Sequence, residues 1–109
     1  MPQKSLLLVD DEPLIRESLA RELASATLAV TVAASGEEAV ARLGREWFDV
    51  VVSDLVMPGL DGFQVLKAAK GRDRAIAVIL LTGFGDMDTA IDALRLGADD
   101  FLRKPCEID

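Results

Sequence analysis

Three aspartates, a threonine and a lysine stand where short apolar runs end. Asp10 and Asp11 follow Leu6–Val9, Asp54 follows Val50–Ser53, Thr82 follows Ala77–Leu81, and Lys104 follows Asp100–Leu102. If those run ends share one edge, three carboxylates meet there, with Glu12 nearby and Lys104 offsetting one charge. Such a cluster is electrostatically costly unless a cation binds or a carboxylate takes up a proton. A hard divalent cation with oxygen ligands meets the need. Mg²⁺ suits phosphate chemistry in particular, because it keeps waters and bridges to a phosphoryl oxygen. A carboxylate can itself be the nucleophile and form an aspartyl phosphate. Catalysis then rests on positioning and charge neutralisation more than on acid–base work. Thr82 can hydrogen-bond one phosphoryl oxygen and Lys104 can pair with another.

Each residue also has a plainer reading. Asp10-Asp11-Glu12 can cap a helix and match its dipole. Asp54 can serve the turn before Met57-Pro58-Gly59, Thr82 can cap a loop before Gly83, and Lys104 can be a solvated lysine. What the plainer readings leave unexplained is their joint placement at successive run ends.

Composition narrows the chemistry. The chain has 109 residues, half of them hydrophobic, which is one domain with a core of its own. The net charge of −7 and the scattered Lys and Arg argue against direct binding of nucleic acid. Histidine is absent, which excludes His triads, His bases and His metal ligands. A lone Cys106 forms no intrachain disulfide and fits a reducing compartment. No apolar run is long enough for a membrane span, and Leu6–Val9 is too short for a signal-peptide core. The expectation is a cytoplasmic protein that does not contact the membrane.

The residues with chemistry need elements to hold them. Leu6–Val9, Val30–Ala33, Val50–Ser53, Ala77–Leu81 and Asp100–Leu102 read as strands, most of them continuously apolar, as in a parallel sheet covered on both faces. Amphipathic stretches alternate with them. Leu14, Ile15, Leu19 and Leu23 form one stripe after Pro13. Ser35 and Glu38 suggest a capping box before Ala39, Val40 and Leu43. Phe63, Val65, Leu66 and Ala69 mark a third helix. Asp88 to Leu96 is a fourth, stopped by Gly97. Repeated βα units give an open doubly wound sheet, whose ligand site lies at the carboxyl ends of the strands. Four of the five strand ends deliver a polar reactive group there.

LLLVDDEP at 6–13, DVVVSDLVMPGLDG at 49–62, AVILLTGFGD at 77–86 and GADDFLRKP at 97–105 together resemble the receiver domains of bacterial two-component response regulators, over the whole chain. The resemblance implies a flavodoxin-like five-stranded sheet of order 2-1-3-4-5. It implies Asp54 as the phosphoacceptor, with Mg²⁺ held by Asp11, Asp54 and the backbone carbonyl of Val56, and by Asp10 through water. Thr82 would be the switch hydroxyl, Phe101 the switch aromatic, Lys104 the phosphate-pairing lysine, and Lys104–Pro105 a cis peptide. The partners implied are a sensor histidine kinase and an output domain on the same polypeptide. The run from Leu80 to Pro105 looks most like nitrogen-control regulators, which carry an AAA+ ATPase and a DNA-binding helix-turn-helix. A homodimer through the fourth helix and fifth strand is a further expectation.

One departure stands out. The family ends in a fifth helix after the Lys-Pro loop, and only Cys106-Glu107-Ile108-Asp109 follows here, so that a final helix is expected to be missing from this chain. Two other classes share part of the pattern. A haloacid-dehalogenase-type phosphatase also uses an Asp nucleophile with Mg²⁺, but places it after the first strand as Asp-x-Asp. A phosphate-independent interaction domain would keep the fold and lose the acidic pocket.

Overall fold

The computed structural model describes residues 3–83 and 87–104. Strands and helices alternate throughout. The strands are β1 (Lys4–Val9), β2 (Leu28–Ala33), β3 (Val50–Asp54), β4 (Ala77–Thr82) and β5 (Asp100–Arg103). Between them lie α1 (Pro13–Leu23), α2 (Gly36–Leu43), α3 (Gly62–Arg72) and α4 (Met87–Arg95). All neighbouring strands pair in parallel, in the order β2-β1-β3-β4-β5. The expected architecture and order are therefore the observed ones.

The continuous apolar strands are covered on both faces, as parallel pairing demands. One face carries Leu7, Val9, Val51, Val78 and Leu80, packed under Ala39 and Leu43 of α2, Val65, Leu66 and Ala69 of α3, and Ala93 of α4. The other carries Leu6, Leu8, Val52 and Leu81, with Leu19, Ala20 and Leu23 of α1 packed on them. No residue of α1 is fully buried.

Several boundaries fall outside the expected ones. β1 begins at Lys4, whose N–H bonds to the Thr27 carbonyl and extends the β1–β2 ladder backward. Asp54 and Thr82 were expected just beyond their strands. Both belong to the ladder, because Asp54 sits opposite Leu81 and Thr82 opposite Arg103. α4 ends at Arg95. Beyond it Gly97, at φ 115, donates to Leu94 and Ala98 donates to Ala93, a glycine-stopped helix end that satisfies the last carbonyls. The second helix has half of the expected capping box. Ser35 Oγ accepts from the Glu38 N–H, but the Glu38 carboxylate accepts from Ala34 rather than from Ser35. A complete box sits instead on α3, between Asp61 and Gln64.

α3 starts almost on top of β3. The Gly62 N–H donates to the Leu55 carbonyl at 2.9 Å. A Cβ at Gly62 would lie 2.6 Å from the Asp54 carbonyl oxygen and 2.8 Å from Leu55 Cα. Backbone atoms cannot move aside as a flexible side chain would, so Gly62→Ala is expected to lower stability by about 1–3 kcal/mol. Urea denaturation measures this, and an unchanged midpoint would show that β3 and α3 have room to separate.

Candidate functional site

Parallel strands end on one edge, and their last residues meet there. Asp10 follows β1, Asp54 closes β3, Thr82 closes β4 and Lys104 follows β5. Asp10, Asp54 and Thr82 are all buried, Asp10 completely. Local bonds fix the turn after β1. Asp10 Oδ1 accepts from the Glu12 N–H at 2.9 Å, and Arg16 clasps the Asp10 carbonyl at 2.9 Å. Asp10 thus takes a backbone donor just ahead of α1, while the Glu12 side chain makes no cap bond and points to the site.

Lys104 is the hub. Its Nζ lies 2.9 Å from Asp54 Oδ2, 2.9 Å from Glu12 Oε1 and 3.2 Å from Asp10 Oδ2. Carboxylate oxygens of Asp10, Glu12 and Asp54 all fall within 4.8 Å of one another. Asp10 Oδ2 is buried and makes no hydrogen bond among the described residues, so that its contact with Lys104 is one of charge alone. Three carboxylates around one ammonium leave a net negative pocket with an unsatisfied buried oxygen. This donor set can hold a metal cation, since hard divalent ions prefer carboxylate oxygen.

Burial pushes the Asp54 carboxyl above the usual carboxylate range. The hydrogen bond and charge of Lys104 pull it part of the way back, the charge of Asp10 pushes up, and the Val56 N–H bond pulls down. Burial acts on Lys104 in the opposite sense, but its bonds to Asp54 and Glu12 and the surrounding acids outweigh it, and the ammonium is held more firmly than in an ordinary lysine. The outcome is a permanent cation beside a carboxylate more basic, and so more nucleophilic, than one on the surface.

The remaining expected residues are placed as follows. Thr82 Oγ1 points to the Leu102 carbonyl at 3.5 Å, the outer limit of a hydrogen bond. Phe101 is half-buried and packs against the core beneath α4. Val56 is 63% exposed, and its backbone N–H acts to lower the pKa of the Asp54 carboxyl. Asp11 is half-buried and is not among the three clustered carboxylates, where Glu12 stands instead. Sequence reasoning had placed Glu12 merely nearby. The signal for more was its position ahead of Pro13, where a helix start without a capping duty leaves the side chain available. The Lys104–Pro105 peptide lies outside the described residues.

Two consequences for stability follow. A carboxyl whose folded-state pKa is raised contributes stability below its unfolded value and loses it as pH rises through the folded value. Asp54→Asn is therefore expected to be more stable than the parent at neutral pH, with the gap closing as pH falls to about 4, the ordinary carboxylate range. Denaturation at a series of pH values checks this, and a pH-independent gap would contradict it. Lys104→Ala removes the partner of two buried carboxylates and should cost about 3 kcal/mol. A loss well under half of that would mean that Lys104 is not their main support.

Residues 6–109 match the response regulator receiver domain family. The C4-dicarboxylate transport transcriptional regulatory protein DctD of Pseudomonas aeruginosa is 40% identical over 107 residues, which is 98% of this chain and 23% of that protein. The DNA-binding transcriptional regulator NtrC of Salmonella typhimurium is 44% identical over 101 residues, 93% of this chain and 22% of its own length. The chain thus spans under a quarter of the length of these two transcriptional regulators. Among solved structures, the response regulator TrrA of Thermotoga maritima, in complex with Mg²⁺ and BeF, superposes with a TM-score of 0.83 at 32% identity, covering 98% of this chain and 91% of that one. No described helix is long and apolar enough to cross a membrane. On the family match, the sheet order and the acidic cluster at the strand ends, this chain belongs to the response regulator receiver domain family.

Proposed function

We propose that the chain is a phosphorelay receiver in which Asp54 takes a phosphoryl group from the phosphohistidine of a partner histidine kinase. The observation that carries this reading is the buried Asp54 carboxylate, 2.9 Å from Lys104 Nζ and beside the unsatisfied Asp10 oxygen. An Asp54 carboxylate oxygen attacks phosphorus, the phosphorus–nitrogen bond of the donor breaks, and the departing imidazole nitrogen keeps the electron pair. Lys104 pairs with a phosphoryl oxygen, and the Thr82 hydroxyl donates to another after leaving the long contact with Leu102. Bound Mg²⁺, with Asp11, Asp54 and the Val56 carbonyl as ligands and Asp10 acting through water, would neutralise charge on the phosphoryl oxygens. The domain is a switch that modifies itself, in the cytoplasm, rather than a metabolic enzyme.

The phosphoryl group adds about −1.5 to −2 of charge at neutral pH. Drawing Thr82 inward makes room for Phe101 to turn from its half-buried seat, and α4 and β5 carry the change. Ile91, Leu94 and Leu102 are exposed on those elements and suit a second copy or an attached output domain. Ala98, which lies between α4 and β5, is buried and is not part of that surface. The output domain, by likeness to DctD and NtrC, would be an AAA+ ATPase with a DNA-binding helix-turn-helix that controls transcription.

Acetyl phosphate with Mg²⁺ tests the assignment by intact mass and site mapping. The parent should gain one phosphoryl group at Asp54 and Asp54→Asn none. Asp11→Ala should abolish labelling while Glu12→Ala retains most of it. The reverse result would move the metal ligand to Glu12. Loss of the phosphoryl group needs a water held in line, and the exposed apolar side chain of Val56 cannot orient one. The same holds for Phe84, which lies outside the described residues. Val56→Asn or Val56→Glu should shorten the phosphoryl lifetime several-fold. Unchanged decay would place control of hydrolysis elsewhere.

A further inference from the structure

The chain carries a net charge of −7, yet one groove gathers cations. It runs between α3 and the end of α4, with a cavity of about 490 Å³. Half-buried Phe63 and Leu96, which is 66% exposed, supply its accessible apolar lining, whereas Leu66 at its base is buried core. Lys67, Lys70 and Arg74 line the α3 side, and Arg95 borders the contiguous space on the α4 side. Lys70 is already held by the Arg74 and Ile76 carbonyls and by Asp99. Among the described residues Lys67, Arg74 and Arg95 enter no ion pair, and all three are exposed. Asp92 is the acid that lines this region.

Gly71 is a second, independent feature. It lies in the last turn of α3, one residue before its end, without a positive φ, and lines the groove. Glycine so near a helix end costs less than the roughly 1 kcal/mol it costs in a helix interior against alanine, and a Cβ would meet nothing within 4 Å. Packing therefore does not demand the glycine. Its effect is to leave the groove open where a side chain would project into it.

We propose that this groove is a docking site for an acidic amphipathic helix of a partner protein, whose apolar ridge covers Phe63 and Leu96 while its acidic flanks meet Lys67, Arg74 and Arg95. The channel between two helices suits the helix-in-groove mode of recognition. The cations stand along its length rather than at one point, which matches a partner with several charges in a row and not an amphiphile with a single head group. Nucleic acid fits poorly, because the lining is apolar and the chain as a whole is acidic. The proposal does not rest on phosphoryl transfer at Asp54.

A labelled synthetic helix with leucines at i, i+3, i+4 and i+7 and glutamates on both flanks is the probe, with a lysine-for-glutamate version as control. Anisotropy on the whole chain should show binding of the acidic peptide that weakens as salt rises, and none of the basic one. The triple change Lys67→Glu, Arg74→Glu, Arg95→Glu should weaken binding at least tenfold. Gly71→Leu should also abolish binding while the unfolding midpoint stays level or rises, which separates a filled groove from a damaged fold. Equal binding of both peptides, undiminished binding by Gly71→Leu, or no binding at low salt would each overturn the proposal. So would stronger competition by decanoate than by the unlabelled peptide, or a self-association in sedimentation that the same variants remove, which would give the groove to a small amphiphile or to a second copy.

Discussion

The acidic edge holds together because one ammonium group reaches three carboxylates. Lys104 comes from the far end of the chain, from β5, whereas Asp10 and Glu12 come from β1 and the turn into α1. The contact therefore requires the full span of the sheet on that side, with β3 and β4 between. Parallel pairing supplies this, because each strand must run the same way and end at the same edge. Local bonding then decides which atoms face inward. Asp10 spends one carboxylate oxygen on the Glu12 N–H and keeps the other bare. A buried oxygen without a hydrogen bond is expensive, and it persists here where the neighbouring charges give it a use.

Electrostatics and packing meet at Asp54. Val51 of the strand that carries it and Leu55 directly after it are buried, and burial is the largest influence on the ionisation of Asp54. Lys104 opposes burial without cancelling it. The close approach of Gly62 fixes the backbone directly after Asp54, so that the carboxylate projects from a position with little freedom. Rigid placement of a nucleophile is what phosphoryl transfer asks of a protein, since most of the catalysis lies in alignment and charge.

The sequence was most legible where a single physical requirement governed many residues. Strands such as LLLV and VVV are apolar throughout because both faces are covered, and that pattern implies parallel pairing and hence a shared edge. Pro13, Ser35 and Gly97 marked helix ends correctly because each acts through its own backbone conformation or a bond to a near neighbour. What failed depended on competition between partners. Glu38 had two backbone N–H groups within reach and took that of Ala34, which left the Ser35 box half made. Asp61 and Gln64 formed the full box, but the pattern was hidden among turn residues that also feed the site. Glu12 looked like one more acid at a helix start, and only the arrival of Lys104 from β5 distinguishes it from Asp11. The groove beside Gly71 was invisible for the same reason, since its two walls are remote in sequence.

The position of β1 inside the sheet, rather than at a border, bears on how the molecule is made. β1 is the first of the five strands in the sequence, and its two ladders are completed by β2 and β3, which follow it. Growth from there proceeds in one direction only, through β4 to β5. Each new strand finds an edge already built, and each closure spans one helical crossover or two. Loop-closure entropy is thus met in modest instalments instead of one long search. The lysine that gathers the carboxylates follows the last of the five strands, so the pocket is electrostatically complete only when β5 is in its place in the sheet.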